Sequence, residues 1–401
     1  MMEDAVIVAT ARSPIGRAFK GAMKDVRPDD LAATIVRALM DKVPQVDPSL
    51  VEDLMLGCAQ PAGEQGYNLA RVVAILAGMP QAGGTTVNRY CSSSLQTIRM
   101  AAHAIRAGEG DIFVAAGVEC ISRYKHGKSD GMENTKNPRF PQERSETFAA
   151  EGAPAWSPND GLPDVYMGMG ITAENVASYK NVTREEQDAF AARSQQRAVA
   201  AQESGFFKDE ITPITLPDGT VLDKDEGPRP GTTEEKLAKL KTVFKPDGTV
   251  TAGNACPLND GAAAVLVMSA SKAKELGVKP LARIVSSAVP ALDPEIMGLG
   301  PVLASQRALE RAGLTIDDID LVEMNEAFAA QAVPSAKELG IPADKLNVYG
   351  GAIALGHPFG MTGARIMTTL IHGLQDRDGR YGLETMCVGG GQGMAMVIER
   401  L

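Results

Sequence analysis

Apolar residues along this chain follow two alternating rhythms. Unbroken runs such as Ala5-Val6-Ile7-Val8-Ala9 and Asp111-Ile112-Phe113-Val114-Ala115-Ala116-Gly117 predict strands buried on both faces. Between them, apolar residues recur every three or four positions, which predicts helices. Leu31, Ile35, Val36 and Leu39 mark a helix over 31–40, a strand is expected at 51–57, and a second helix near 68–77. Leu95, Ile98, Ala102 and Ile105 mark another helix that begins close to Cys91. Strands alternating with helices predict an α/β fold whose mixed or parallel sheet is covered on both faces.

From 122 to 248 the pattern breaks. Glycine, proline and charged residues dominate, and the strong helix there is 183–203, opened by the capping box Thr183-Arg184-Glu185-Glu186. The segment reads as an excursion from the sheet, of the kind that carries binding surface. Gly127-Lys128-Ser129 looks like the end of a phosphate loop, but Ser122 stands where the first glycine should be, so an ordinary loop is expected. Order returns at Gly248, with a tight turn at Asn259-Asp260-Gly261 and a buried strand over 262–269. The chain then begins again. Arg37-Ala38-Leu39 precedes the strand 54–57 as Arg307-Ala308-Leu309 precedes the strand 321–325, each strand introduced by an acidic turn. Each is followed by a helix and by a strand entering a polar turn, Thr86-Val87-Asn88 and Asn347-Val348-Tyr349. This ordered self-similarity predicts two related halves with a site at their junction.

With 401 residues, 44% of them apolar, the chain can fill two or three domains with large cores. A net charge of -10 argues against nucleic acid or an anionic membrane surface as the main partner. The five cysteines, at 58, 91, 120, 256 and 387, are odd in number and form no C-x-x-C pair, so neither a disulfide framework nor a structural metal site is expected. A reducing compartment follows from that usage. No leader pattern precedes the first strand and no run reaches bilayer length, so the expectation is a cytoplasmic protein starting near Met1, without membrane insertion.

Candidate chemistry starts at Cys91, placed at or beside the first helical residue with serines 92–94 available as caps. Unpaired N–H groups and the helix dipole there favour the thiolate, although a small buried packing cysteine has the same local sequence. Three stretches of the second half are too polar or glycine-rich for plain scaffolding. Asn325-Glu326 emerges at a strand end, His357 sits between glycines and against Pro358, and Cys387 precedes the glycines 389–391.

The set Asn88-Arg89-Tyr90-Cys91-Ser92-Ser93, Asn325-Glu326-Ala327-Phe328, Gly356-His357-Pro358-x-Gly and Cys387-x-Gly-Gly-Gly, in this order, resembles the thiolase family. The likeness covers nearly the whole chain, including Met169-Gly170-Ile171-Thr172-Ala173-Glu174-Asn175 and Thr251-Ala252-Gly253-Asn254. It implies a duplicated thiolase-like fold, two mixed-sheet halves packed in layers with helices: 1–121 with 250–271 as the first half, 122–249 as an inserted loop domain for CoA binding, and 272–401 as the second half. The implied reaction is thiolytic cleavage of a 3-ketoacyl-CoA by CoA, as in fatty-acid β-oxidation, or the reverse condensation of acyl-CoA molecules. By the same resemblance Cys91 is the nucleophile activated by His357, and Cys387 is the second acid/base. His357 with an Asn325-held water forms one oxyanion hole, and the N–H groups of Cys91 and Gly389 form the other. Arg229, Lys236, Lys245, Leu240, Ala252, Cys256 and Met169 are candidates for CoA contacts. No metal and no resident cofactor are implied, CoA being a substrate, and a homodimer or homotetramer is expected. Departures from the family pattern are Tyr90 for glutamine, Ser94 for glycine, Cys256 for serine and Gly168 for histidine, which leave the acyl-chain preference open. Two other readings are a decarboxylating condensing enzyme, which needs no second cysteine, and a non-catalytic acyl-CoA binder.

Overall fold

The computed structural model describes residues 3–158 and 160–401. Among them, a ten-stranded sheet is organised about a seam, where Ala5–Arg12 runs antiparallel to Ala282–Ala288 through Val6 opposite Arg283 and Ile7 opposite Ala282. Outward on one side lie Asn259–Ser269, Ile112–Cys120, Asp53–Gly57 and Gly83–Val87. Outward on the other lie Gln392–Arg400, Tyr381–Val388, Leu321–Met324 and finally a single bridge from Val322 to Leu346. On both sides the successive pairings are antiparallel, antiparallel, parallel and parallel. Each half therefore visits its strands in the same order, and the fold is duplicated as the repeated motifs predict. The strand expected at 347–349 shrinks to that one bridge.

Three apolar clusters show the layering. Helices Pro28–Asp41 and Leu69–Leu76 cover the outer face of the first half, and Gly300–Ala312 and Ala329–Leu339 cover that of the second. Between the two halves lie Ser93–Ala107 and Thr362–Asp376, whose apolar residues join strand residues of both halves in one cluster. Every residue of Ile112–Cys120 and Asn259–Ser269 is buried, which explains why these strands read as unbroken apolar runs. The central helices touch through backbone. A Cβ on Gly363 would collide with the Leu95 N–H, and Ala364 N–H donates to Ser94 Oγ at 2.9 Å. Ser94 thus belongs to the joint between halves.

The strands 4 and 5 of each half are joined very differently. In the second half the link is the turn 389–391; in the first it is everything from Ile121 to Leu258. That excursion contains Arg184–Ser204, where the expected capping box is present. It also contains Met169–Lys180, a helix with no visible apolar stripe, because Gly170 and residues 172–177 are buried around most of its circumference. Asn259-Asp260-Gly261 is not a turn. It continues the strand, Asn259 pairing with Arg17 and Asp260 with both Gly16 and Cys120. The turn-forming residue types are kept there for their side chains: Asp260 accepts from Ser122 N–H at 2.9 Å and Asn259 serves the site described next.

Candidate active site

Cys91 sits in the turn Tyr90–Ser92, between the edge strand Gly83–Val87 and the helix Ser93–Ala107. Tyr90 is held at φ 44, unusual for a side-chain-bearing residue. The strain is over-determined by its surroundings: Tyr90 N–H donates to Asn88 Oδ1 at 2.9 Å, Ser93 Oγ donates to Tyr90 O at 2.7 Å, and Arg89 N–H donates to Ser93 Oγ at 2.9 Å. The serines thus shape the elbow; Ser92 makes no side-chain cap, contrary to the expectation from sequence. Arg89 ties the elbow to the second half, with Nε to Gln96 at 3.1 Å and Nη1 to Gln392 at 2.7 Å.

The Cys91 side chain is buried at 8% exposure, and burial pushes its thiol up to about 12. The Gly389 N–H and its own N–H point at the sulfur and pull in the opposite direction. The expected thiolate is therefore not the resting form; a neutral thiol lies against two donors. Cys387, at the end of Tyr381–Val388, is fully buried and pushed well above the ordinary thiol range, first by burial and then by Cys91 and Cys256. Cys387 thus feels the charge of both Cys91 and Cys256, and Cys256 that of Cys91. Cys256 is fixed by its N–H to Ala327 O at 3.0 Å, beside the bridge between Ala255 and Phe328.

His357 is 1% exposed, and burial, with the charge of Arg365, lowers it to about 3. Its tautomer follows from its partners. Thr362 Oγ1 donates to Pro358 O at 2.8 Å, so it accepts from Nδ1 at 2.7 Å, leaving a lone pair on Nε2. Asn325 Nδ2 lies 3.3 Å from that nitrogen. Asn325 is held by its N–H to Thr385 O at 2.9 Å and by Gln331 Nε2 on its own carbonyl at 2.8 Å, while its buried Oδ1 has no partner among the described residues. His357 N–H donates to Asn259 Oδ1 at 3.0 Å, and Gly356 beneath it has φ 116 and no room for a Cβ against Asn259. Glu119, fully buried, reaches across the halves to accept from Gly360 N–H at 3.0 Å and Ala59 N–H at 2.8 Å. Glu326 braces the loop before His357, accepting from Ser194 at 2.6 Å, Asn347 at 2.8 Å and Ile353 N–H at 3.1 Å.

Sequence reasoning missed Asn259, Thr362, Gln331 and Glu119. Thr362 lies in the glycine-rich stretch around His357, and Asn259 was visible as a turn signal with a different use. Glu119, inside a buried apolar run, carried the one available hint, a charge where none should be free of a partner.

Of the residues expected to contact CoA, several line one surface near Phe328. Met169 begins its helix and is 36% exposed, and Gly170 leaves room for the ring of Phe244, which meets Phe328 edge-on at 6.0 Å. Leu240, 40% exposed, packs over Gly253, next to exposed Ala252. Of the charged candidates, Lys236 Nζ donates to Gly231 O at 2.5 Å and Lys245 lies 3.6 Å from Asp247, while Arg229 is exposed and its backbone N–H donates to Gln195 at 2.8 Å.

Comparison with known proteins bears on this arrangement. Residues 5–271 match the model of the thiolase N-terminal domain, and residues 278–400 that of the thiolase C-terminal domain. The chain is 46% identical, over the full length of both proteins, to the 3-oxoadipyl-CoA/3-oxo-5,6-dehydrosuberyl-CoA thiolase of Escherichia coli (strain K12). It is 47% identical to an acetyl-CoA acetyltransferase of Chromobacterium violaceum, across 99% of this chain and 100% of the relative, and 46% identical to a 3-ketoacyl-CoA thiolase of Aeromonas salmonicida across the whole of both. The crystal structure of the Bacillus anthracis acetyl-CoA acetyltransferase superposes with a TM-score of 0.85 at 41% identity, covering 100% of this chain and 99% of that one. The duplicated sheet, the paired cysteines and these full-length matches agree: the chain belongs to the thiolase family and is an acyltransferase working on acyl-CoA thioesters.

Proposed function

We propose that this enzyme cleaves 3-ketoacyl-CoA with CoA through an acyl group carried on Cys91. The observation that carries the reading is the buried His357 imidazole, its Nδ1 2.7 Å from Thr362 Oγ1 and its Nε2 3.3 Å from Asn325 Nδ2, in a chain whose Cys91 and Cys387 are both free and buried. Nε2 of neutral His357 takes the Cys91 proton as sulfur attacks the ketone carbon. That one transfer makes the nucleophile and turns Nε2 into a donor for an oxyanion. The bond between C2 and C3 then breaks, leaving the acyl group on Cys91, and the departing acetyl-CoA enolate takes the Cys387 proton at C2. In the second half CoA gives its thiol proton to the Cys387 thiolate and attacks the thioester. Cys91 leaves and recovers its proton from His357, so the charges balance and both cysteines are restored. A buried thiol suits Cys387 because the strong base it becomes can also abstract the α-proton in the condensing direction.

We assign one oxyanion site to His357 Nε2–H together with a water that donates to Asn325 Oδ1, and the other to the N–H groups of Cys91 and Gly389. Residues 122–249, inserted within the first half formed by 1–121 with 250–271 and preceding the second half 272–401, supply CoA surface through Met169 and Leu240, joined by Ala252 and Cys256 of the first half; Arg229 and Lys236 are the candidates to meet its phosphates. The working assembly is a homodimer or a dimer of dimers in the cytoplasm. Among the described residues no helix is long and apolar enough to cross a membrane. The test is loss of acetoacetyl-CoA on adding CoA, with the acyl adduct located by mass spectrometry. An adduct that survives Cys91→Ala sinks the assignment. Cys387→Ala should still acylate yet fail to exchange the α-proton of acetyl-CoA with solvent.

A further inference from the structure

The nucleophile and one of its oxyanion donors come from opposite halves, so contacts that cross the joint have to fix their spacing. Cys91 lies in the elbow Tyr90–Ser92, and Gly389 opens the tip 389–391 that links Tyr381–Val388 to Gln392–Arg400. A tip of three glycines has no side chains to seat it and much backbone freedom to lose. Its far end is pinned by main chain. Leu292 N–H donates to Gly391 O at 2.8 Å, and a Cβ on Gly391 would collide with Leu292 O and the Pro294 backbone. Gly390, at φ 76, stands in open space.

The near end, which carries the donor, meets the elbow twice. Gln392 Nε2 donates to Gly389 O at a long 3.4 Å, while Arg89 Nη1 holds Gln392 at 2.7 Å. The second contact is Tyr90. A Cβ built on Gly389 would stand 3.3 Å from Cγ and Cδ2 of the Tyr90 ring, closer than ordinary contact, so the ring lies directly against the glycine. Tyr90 reaches that place through strain, at the φ of 44 that Asn88, Arg89 and Ser93 enforce. Glycine would hold the same φ without strain, yet the chain keeps an aromatic side chain there. The ring packs against the apolar cluster that joins the two halves, and among the described residues its phenol makes no hydrogen bond. What Tyr90 supplies is the face of its ring.

Resting on the thiolase reading, we propose that Tyr90 is a positioning residue for acyl transfer: its ring seats Gly389 so that the Gly389 N–H meets the oxygen of the acyl group carried on Cys91. The acetyl-CoA enolate uses the other oxyanion site, at His357, and does not depend on the ring. Tyr90 therefore separates two steps that can be measured apart in the full chain. Formation of the Cys91 acyl-enzyme from acetoacetyl-CoA, followed by rapid quench and mass spectrometry, should slow about tenfold or more in Tyr90→Ala. Exchange of the acetyl-CoA α-proton with solvent should stay within about twofold of the native rate. Tyr90→Phe keeps the ring face and should acylate as the native enzyme does. Should Tyr90→Ala not fold, Tyr90→Gly removes ring and strain together and should show the same split. Native-rate acylation in either ringless variant overturns the proposal. So does an equal loss of acylation and exchange, which a merely structural ring would give, and so does a Tyr90→Phe enzyme as slow as Tyr90→Ala. A native chain that forms no Cys91 adduct and leaves acetoacetyl-CoA intact sinks the thiolase reading itself, whereas ringless variants that acylate as well as an active native chain sink only the role of Tyr90.

Discussion

At Cys91 two opposed effects act on one sulfur, and their balance can be measured. Helix-end amides favour the thiolate, but burial costs the charged form more, which leaves the thiol near 12. Because the group is raised, its reactive fraction should keep growing about tenfold per pH unit from 7 to 10. Alkylation of Cys91 by iodoacetamide should accordingly show no plateau near pH 8.5; a plateau there would mean that the amides outweigh burial. His357 offers the complementary experiment. Thr362 Oγ1 fixes the proton on Nδ1, so Thr362→Val should free the wrong tautomer and lower kcat by about tenfold or more with little change in KM. Thr362→Ser, which retains the hydroxyl, should recover most of it.

At the scale of elements, the site depends on how closely backbones of the two halves approach. A Cβ on Gly117 would drive into the Gly360 carbonyl, and one on Gly360 into Val118 O, so the loop bearing His357 lies directly on the first-half strands. Gly117→Ala should cost about 1–3 kcal/mol of stability and also lower kcat, read by thermal melting and turnover on the same preparation. A second element-level effect comes from Glu323 and Glu384, paired across Leu321–Met324 and Tyr381–Val388 and both buried near Arg365. Burial raises Glu323 from 4.5 to about 8 and Glu384 well above its ordinary value. The folded chain then holds protons that the unfolded chain releases, so stability is full below about pH 4.5 and is lost as pH rises through 8. Glu384→Gln should flatten that fall in melting temperature between pH 5 and 8; an unchanged slope would show that Glu384 is ionised in the folded protein. What the sequence revealed of these elements followed the physics of burial. Strands such as Ile112–Cys120 announced themselves as continuous apolar runs, and Arg184–Ser204 through its capping box. Met169–Lys180 hid because a helix enclosed by small and polar partners has no stripe, and Asn259-Asp260-Gly261 misled because turn-forming residues can be retained for side-chain bonds. The motif residues were legible through the family likeness. Gln331, which holds the Asn325 carbonyl from the next helix, left no local mark, and Glu119 left only that of a charge inside a buried run.

For the molecule as a whole, duplication makes the two ends of the sheet comparable, and they differ. The second half ends with Leu321–Met324 bridged at Leu346, whereas the first ends on Gly83–Val87, paired on one side only to Asp53–Gly57 and partly exposed along its length. Beside that edge stand Tyr67, 96% exposed at φ 55, and the exposed Ile75 and Leu76. An unpaired edge flanked by apolar side chains is a template for another strand, and two copies related by a two-fold axis satisfy it without leaving a new edge. The same strand runs on into Asn88-Arg89-Tyr90-Cys91, so pairing it would stiffen the support of the nucleophile. Light scattering should therefore give twice the chain mass or a multiple of it. Tyr67→Asp combined with Ile75→Asp should shift the protein towards monomer and reduce turnover in step with the loss of dimer. A double variant that is monomeric yet fully active would separate catalysis from assembly and leave the edge without a catalytic purpose.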